Sequence, residues 1–300
     1  MDGSSPVELA TATQRWSSAC FGGGGLHVYY MVAAAVALLQ QRVYVDRIYC
    51  TSAGFFAAMY YIMDWRTDIN LTQLIEMLPT GRKRKNPSWC SRIFSFFKSL
   101  FRCCCCCFCC CGNRKRRDRY KFDYRHGDGQ GSDTGVDLMR DRVLHRMEEL
   151  INRNPDTWKI VSHRLHVLCT QLPCIQGKLF TKFTSNEDLI GCMYATTYIP
   201  GIAGGAFTTG IKYHERYYVD GGVVATYPIR NRHTVVIGTG LIYCWTKAYR
   251  VGKGRRDGLG DVGRYYSKGS LSIVSDRFYR RIWRDGYHDC AKYIDRQLNK

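Results

Sequence analysis

Long apolar runs are missing from this chain. Val28 to Leu39 is too short to cross a bilayer, and Ile93 to Cys111 is interrupted by Lys98 and Arg102, so no stretch reaches the roughly eighteen uncharged apolar residues of an ordinary spanning helix. Regularly spaced cysteines are missing as well, which excludes a disulfide-stapled secreted domain. Residues 1–15 carry no apolar signal region, and the expectation is a reducing, intracellular setting. Acids are scarce in one segment. Residues 82–121 hold thirteen Lys or Arg against the single acid Asp118, so this stretch carries +12 of the formal +19 and leaves +7 for the rest. Basicity concentrated in this way is a local device for a negatively charged surface, either anionic lipid or nucleic acid. Nothing there resembles a folded nucleic-acid reading module.

A dinucleotide loop is also incomplete. Gly22-Gly23-Gly24-Gly25 follows a strand-like run, Trp16 to Phe21, and precedes a helix-like one, Leu26 to Gln41. His27 stands where the third glycine of G-x-G-x-x-G belongs, and Asp46 falls at the beginning of its strand instead of the end. A glycine loop at a helix N-terminus still presents backbone amides where negative charge is stabilised, and an oxyanion hole fits better. His27 reads either as a group near the headgroup of a bound ligand or as inert, and the expectation is that it is inert and faces solvent or a cap, as helix-start residues usually do.

What the chain does contain is 300 residues with 45% hydrophobic content, a length that suits one large domain or two small ones, and one domain carrying an insertion is the expectation. Cys50-Thr51-Ser52-Ala53-Gly54 joins the apolar run Val45 to Tyr49 to a helix-like run, Phe55 to Met63. A strand turning abruptly into a helix between small residues presents the serine hydroxyl at a strained elbow, and a plain capping turn would read the same way. Ser52 is the candidate nucleophile, with Cys50 where the first glycine of G-x-S-x-G would be. Further along, Arg216 to Val219 reads as a strand delivering Asp220-Gly221-Gly222. That is either a D-G turn or a carboxylate at a strand end with glycines folding the backbone around it.

Other elements follow from periodicity: a short helix at Leu71 to Leu78, an amphipathic helix from Val136 to Asn152, and strands at Arg164 to Thr170 and Lys178 to Thr184 with Pro173 and Gly177 between them. Ser185-Asn186-Glu187-Asp188 is a capping box opening a helix to Ala195, ended by Pro200 and the glycines at 201, 204 and 205. Thr234 to Thr239 reads as a strand. A helix from about Asp276 is expected to pack by Phe278, Ile282, Tyr287 and Ala291. His163 and His166 point to opposite faces of a strand and are taken as structural. Residues 81–135 form the insertion, in which Cys103, Cys104, Cys105, Cys106, Cys107, Cys109, Cys110 and Cys111 lie between basic runs beside aromatic residues. Contiguous cysteines lack the spacers of a zinc site, and they are candidates for S-acylation on an anionic membrane.

Three stretches, in order, resemble the patatin-like phospholipase family, and specifically its adiponutrin-like branch: Phe21 to Leu26 with Tyr29 and Tyr30, Cys50 to Gly54, and Tyr218 to Val223. Ala195 to Pro200 is similar to the family's A-S-x-x-I-P segment, with Thr196 in place of the serine, and Gly286-Tyr287-His288-Asp289 to the branch's closing helix. The resemblance implies a three-layer α/β/α sandwich over residues 16–300, interrupted by the insertion at 81–135, with residues 1–15 as a loose start. It implies a Ser52–Asp220 dyad, an oxyanion hole from the amides of Gly22, Gly23, Gly24 and Gly25, and support from Cys50, Ala53, Gly54, Gly221 and Gly222. The substrate would be a glycerolipid or phospholipid, with no cofactor or metal, and the enzyme would sit peripherally on the cytoplasmic face of a membrane. Two other readings stand beside it. One is a triad hydrolase using His288 or His233; the other is a catalytically weak, membrane-tethered scaffold of the same fold.

Overall fold

The computed structural model describes residues 16–68, 73, 143–199, 210–229, 233–239, 262–264 and 275–299. The loose start, the helix expected at Leu71 to Leu78 apart from Gln73, which is helical, the Cys-rich basic insertion at 81–135 and the Pro200-to-Gly205 stretch lie outside those residues.

An eight-stranded mixed sheet organises the rest. Its strands are β1 (Ser18–Phe21), β2 (Arg47–Thr51), β3 (Leu165–Leu172), β4 (Gln176–Phe180), β5 (Ile211–Tyr213), β6 (Arg216–Asp220), β7 (Thr234–Thr239) and β8 (Val262–Arg264). They run in the order β5-β6-β3-β2-β1-β7-β8, with β4 paired to β3 off that path. The helices are α1 (Val28–Gln40), α2 (Gly54–Met63), α3 (His145–Asn152), α4 (Thr157–Val161), α5 (Asn186–Thr197) and α6 (Asp276–Leu298). The α/β class read from the sequence is the one observed. β1 and β7 are buried at every position, not at every second one, so the sheet is a middle layer covered on both faces.

On one face, Ala19, Phe21, Ile48, Cys50, Leu165, Val167, Cys169, Val235 and Ile237, all fully buried, form the floor of the main core. Helix α1 packs there on nearly its whole circumference. Its run of Ala33, Ala34, Ala35 and Ala37, each 0% exposed, keeps the backbone thin enough for neighbours to approach closely. On the other face, Cys20, Tyr49 and Val236 pack under Tyr227 and Ile229.

Pairing along β3 is what positions the site. Val167 and Leu168 pair with β2 and also with β4, while Cys169, Thr170 and Gln171 pair with β4 and also with β6. A strand has only two edges, so β2 and β6 share one edge of β3. β2 is parallel to β3 and β6 antiparallel to it, and therefore they approach each other head-on. Thr51 pairs with Leu168 and Asp220 with the next residue, Cys169. The ends of the two strands meet there.

Several expectations shift. β2 begins two residues later than the Val45 start and takes in Cys50 and Thr51, and Gly177 lies inside β4 instead of in the loop. The described part of the 136–152 helix is α3, and α4 was not anticipated. Ser185 caps α5 as expected, its hydroxyl accepting from Asp188 N–H at 3.1 Å. However, the Asp188 carboxylate bonds Thr184 N–H at 2.9 Å and not the Ser185 amide. On α6 the buried stripe is Tyr279, Ile282, Asp285, Gly286, Cys290 and Ile294, and Tyr287 is exposed. The cause is Gly286: a Cβ there would lie 2.3 Å from the Tyr30 carbonyl oxygen, so α6 crosses α1 on its glycine face and turns the tyrosine outward.

Candidate active site

Ser52 sits at φ +52°, the left-handed region that non-glycine residues avoid. Two contacts hold it in that conformation. Its N–H donates to Thr196 Oγ1 at 3.0 Å, and the same hydroxyl donates to the Leu168 carbonyl at 2.7 Å. Thr196, at the end of α5, thus ties the elbow to β3. On the helix side Gly54 admits no side chain, since a Cβ would lie 2.2 Å from the Phe21 carbonyl oxygen. The first turn of α2 therefore lies directly on the end of β1. Ala53 and Cys50 are buried. The Cys50 thiol lies on the helix-covered face, burial pushes its pKa well up, and a Cβ is accommodated at this position.

Asp220 is 3% exposed. Its N–H donates to the Tyr198 carbonyl at 2.8 Å and its carbonyl accepts from Thr170 Oγ1 at 2.8 Å. The carboxylate accepts from Gly222 N–H at 2.7 Å through Oδ1, and from the Ser52 hydroxyl at 2.5 Å through Oδ2. Burial raises its pKa from 3.8 to about 7, against the opposing pull of the Ser52 and Gly222 hydrogen bonds. Gly221 has no room for a side chain, because a Cβ would lie 2.1 Å from the Leu168 carbonyl oxygen and 2.3 Å from Thr51 Oγ1. The glycines of the D-G-G stretch thus let the end of β6 close against the end of β2.

The glycine loop leaves β1 on the neighbouring strand end. Phe21 pairs with Cys50, so the residues after it run alongside Thr51 and Ser52. The four amides are not equivalent, which narrows the expected set. Gly22 N–H donates to Ile237 O at 2.9 Å and Gly23 N–H to Thr226 O at 3.1 Å, so both are used by the fold. Among the described residues no hydrogen bond engages the amides of Gly24, Gly25 or Ala53. His27, expected to face solvent or a cap, is instead fully buried, with Nδ1 3.2 Å from Thr239 Oγ1. That threonine oxygen lies 2.8 Å from where a Cβ on Gly24 would sit, so the pair braces the loop from the β7 side.

Neither histidine of the triad reading reaches this place. His233 precedes β7, and its carbonyl accepts from Ser17 and Ser18 at the start of β1, on the edge opposite the elbow. His288 lies on α6 with its side chain 67% exposed. Among the described residues, the hydrogen bonds to the Asp220 carboxylate come from Ser52 and Gly222. No group of three or more His, Cys, Asp or Glu residues suited to a metal ion occurs among the described residues, and no described helix is long and apolar enough to cross a membrane. The roles of Thr196, Tyr198 and Thr170 have no signature in the sequence. Thr196 registered only as a departure from a family pattern.

No protein-family model matches the chain. A stretch of 95 residues is 32% identical to human patatin-like phospholipase domain-containing protein 4, covering 32% of this chain and 35% of that protein. The match thus spans about a third of the curated relative. Among solved structures, the chain is similar to VipD from Legionella pneumophila with a TM-score of 0.42 and 11% identity, over 94% of this chain and 67% of that one.

Proposed function

We propose that the protein is a serine lipid acyl hydrolase working through a Ser52–Asp220 dyad. The observation that carries the reading is the 2.5 Å hydrogen bond from the Ser52 hydroxyl, on a strained elbow, to a buried carboxylate. A serine hydroxyl becomes a useful nucleophile only when a base lies within hydrogen-bond reach, and a base with a pKa near neutrality suits that role. Similarity to a patatin-like phospholipase domain protein supports a fatty ester of a glycerolipid or phospholipid as the substrate.

Ser52 Oγ attacks the ester carbonyl as its proton passes to Asp220 Oδ2. The oxyanion of the tetrahedral intermediate accepts hydrogen bonds from the amides of Gly24, Gly25 and Ala53. Collapse breaks the bond to the alcohol, which leaves with the proton from Asp220, and the acyl group stays on Ser52. Water then attacks the acyl-enzyme, giving a proton to Asp220, and the second collapse returns that proton to Ser52 and releases the fatty acid. In this reading the basic, Cys-rich insertion at 81–135 holds the enzyme at an anionic membrane.

The test is a fluorophosphonate probe together with a lipid hydrolysis assay on the unmodified chain, Ser52→Ala, Asp220→Asn, His233→Ala and His288→Ala. Labelling that depends on Ser52, with hydrolysis lost in the first two variants and kept in the histidine variants, is the expected result. Absence of labelling in well-folded protein would overturn the proposal in favour of a non-catalytic scaffold.

A further inference from the structure

The hairpin joining β3 to β4 is built against the usual logic of turns. β3 continues four residues past Leu168, the partner of Thr51, to Leu172, which carries its end roughly 13 Å beyond the elbow at about 3.3 Å per residue. The connection is Pro173-Cys174-Ile175, with Pro173 and Cys174 exposed and Ile175 half-buried. Ile175 has φ +48°, a left-handed position that stereochemistry reserves for Gly, Asn or Asp and that is an outlier for a β-branched residue. An apolar side chain is thus held at a projecting tip despite its conformational cost. Two large apolar side chains extend the same surface. Leu179 pairs with Leu168 and Tyr217 with Leu172, positions on one face of the sheet, and they are 39% and 46% exposed. No acid occurs from Leu165 to Asn186, whereas Lys178 on β4 and Arg216, which precedes Tyr217 on β6, are both exposed.

We propose that the β3–β4 hairpin seats the protein on an anionic lipid surface, its apolar tip entering the headgroup region beside the Ser52 edge of the sheet. This rests on the lipid-hydrolase reading for its purpose: an ester carried in a lipid layer must reach the strand ends, and a tip that projects past them docks that edge first. Lys178 and Arg216 supply attraction to anionic headgroups, while Ile175, Leu179 and Tyr217 supply the buried apolar area.

The experiment compares the full chain with Ile175→Asp and with Lys178→Glu/Arg216→Glu. Each is sedimented with vesicles of phosphatidylcholine plus phosphatidylglycerol and with vesicles of phosphatidylcholine alone, and each is assayed on a short-chain monomeric ester. Aspartate tolerates the left-handed position, so the first variant keeps the turn. It is expected to lower partitioning onto the mixed vesicles about tenfold or more. The charge variant should weaken binding to the mixed vesicles alone, and turnover of the monomeric ester should be unchanged in both. Vesicle partitioning of Ile175→Asp equal to that of the unmodified chain overturns the proposal. So does a change confined to self-association or to protein binding, which would assign the tip to a second copy or a protein partner. The two readings fail separately. An unmodified chain that turns over no ester, yet loses vesicle binding on Ile175→Asp, refutes the hydrolase and leaves the anchor standing.

Discussion

Replacing Asp220 by Asn separates what this carboxylate does for chemistry from what it costs the fold. The group is fully buried, and its pKa rises from 3.8 to about 7 because burial penalises the charged form. With the folded pKa above the unfolded one, the folded state holds an extra proton between those values. The corresponding stability is complete below about pH 4 and lost as pH rises through about 7. A difference of about three pKa units makes the loss a few kcal/mol, on the order of 4, at pH 8 and smaller at pH 5. Asparagine does not titrate; its one side-chain oxygen keeps the bond from Gly222 N–H, and its NH2 group, in the place of Oδ2, donates to Ser52 Oγ and so reverses that bond. At alkaline pH Asp220→Asn is therefore expected to be more stable than the unmodified chain, with a gain that grows by a few kcal/mol (roughly 2–3) between pH 5 and pH 8. Acyl-ester turnover should fall about 10²–10⁴-fold with the loss of the base. Urea unfolding followed by circular dichroism at the two pH values reads the first quantity, and a monomeric ester assay reads the second. A variant no more stable at pH 8 than the unmodified chain, or a gain independent of pH, would refute the claim that this carboxylate is ionised at the expense of the fold.

Three further outcomes are expected. Turnover of a monomeric ester should rise with pH through about 7 and then level off, since Asp220 must be ionised to accept the serine proton; a profile flat from acid to alkaline pH would contradict that role. Thr196→Val removes both the acceptor for Ser52 N–H and the donor to Leu168 O, at a cost of about 1–3 kcal/mol of stability and a lower kcat, whereas Thr196→Ser should retain both, as denaturation and steady-state kinetics on the pair will report. Gly221→Ala places a methyl 2.1 Å from the Leu168 carbonyl oxygen and should force the ends of β6 and β2 apart, costing at least about 1–3 kcal/mol; an alanine variant with unchanged melting temperature and fluorophosphonate labelling would show that the close approach is not required.

The sequence by itself determined the pieces whose causes are local. A strand, T-S-A-G and a helix specify a tight strand-to-helix connection because small residues beside a serine are chemistry of adjacent positions, and the φ of +52° at Ser52 decides for the elbow over a capping turn. Ser185 and Asp188 specify a helix start for the same reason, and the Ala- and Leu-rich run Leu26 to Gln41 specifies a helix packed on most of its surface. Tertiary structure decided everything that depends on residues far apart in the chain. Ser52 and Asp220 are 168 positions apart, and they meet because β2 and β6 run head-on along one edge of β3, a pairing no local pattern encodes. The same holds for the glycine loop: the amides of Gly22 and Gly23 are taken by carbonyls of Ile237 and Thr226, partners some two hundred positions away. It holds for His27, drawn into the interior by Thr239, and for α6, whose buried face was set by the Tyr30 backbone beneath Gly286 and not by its own apolar spacing.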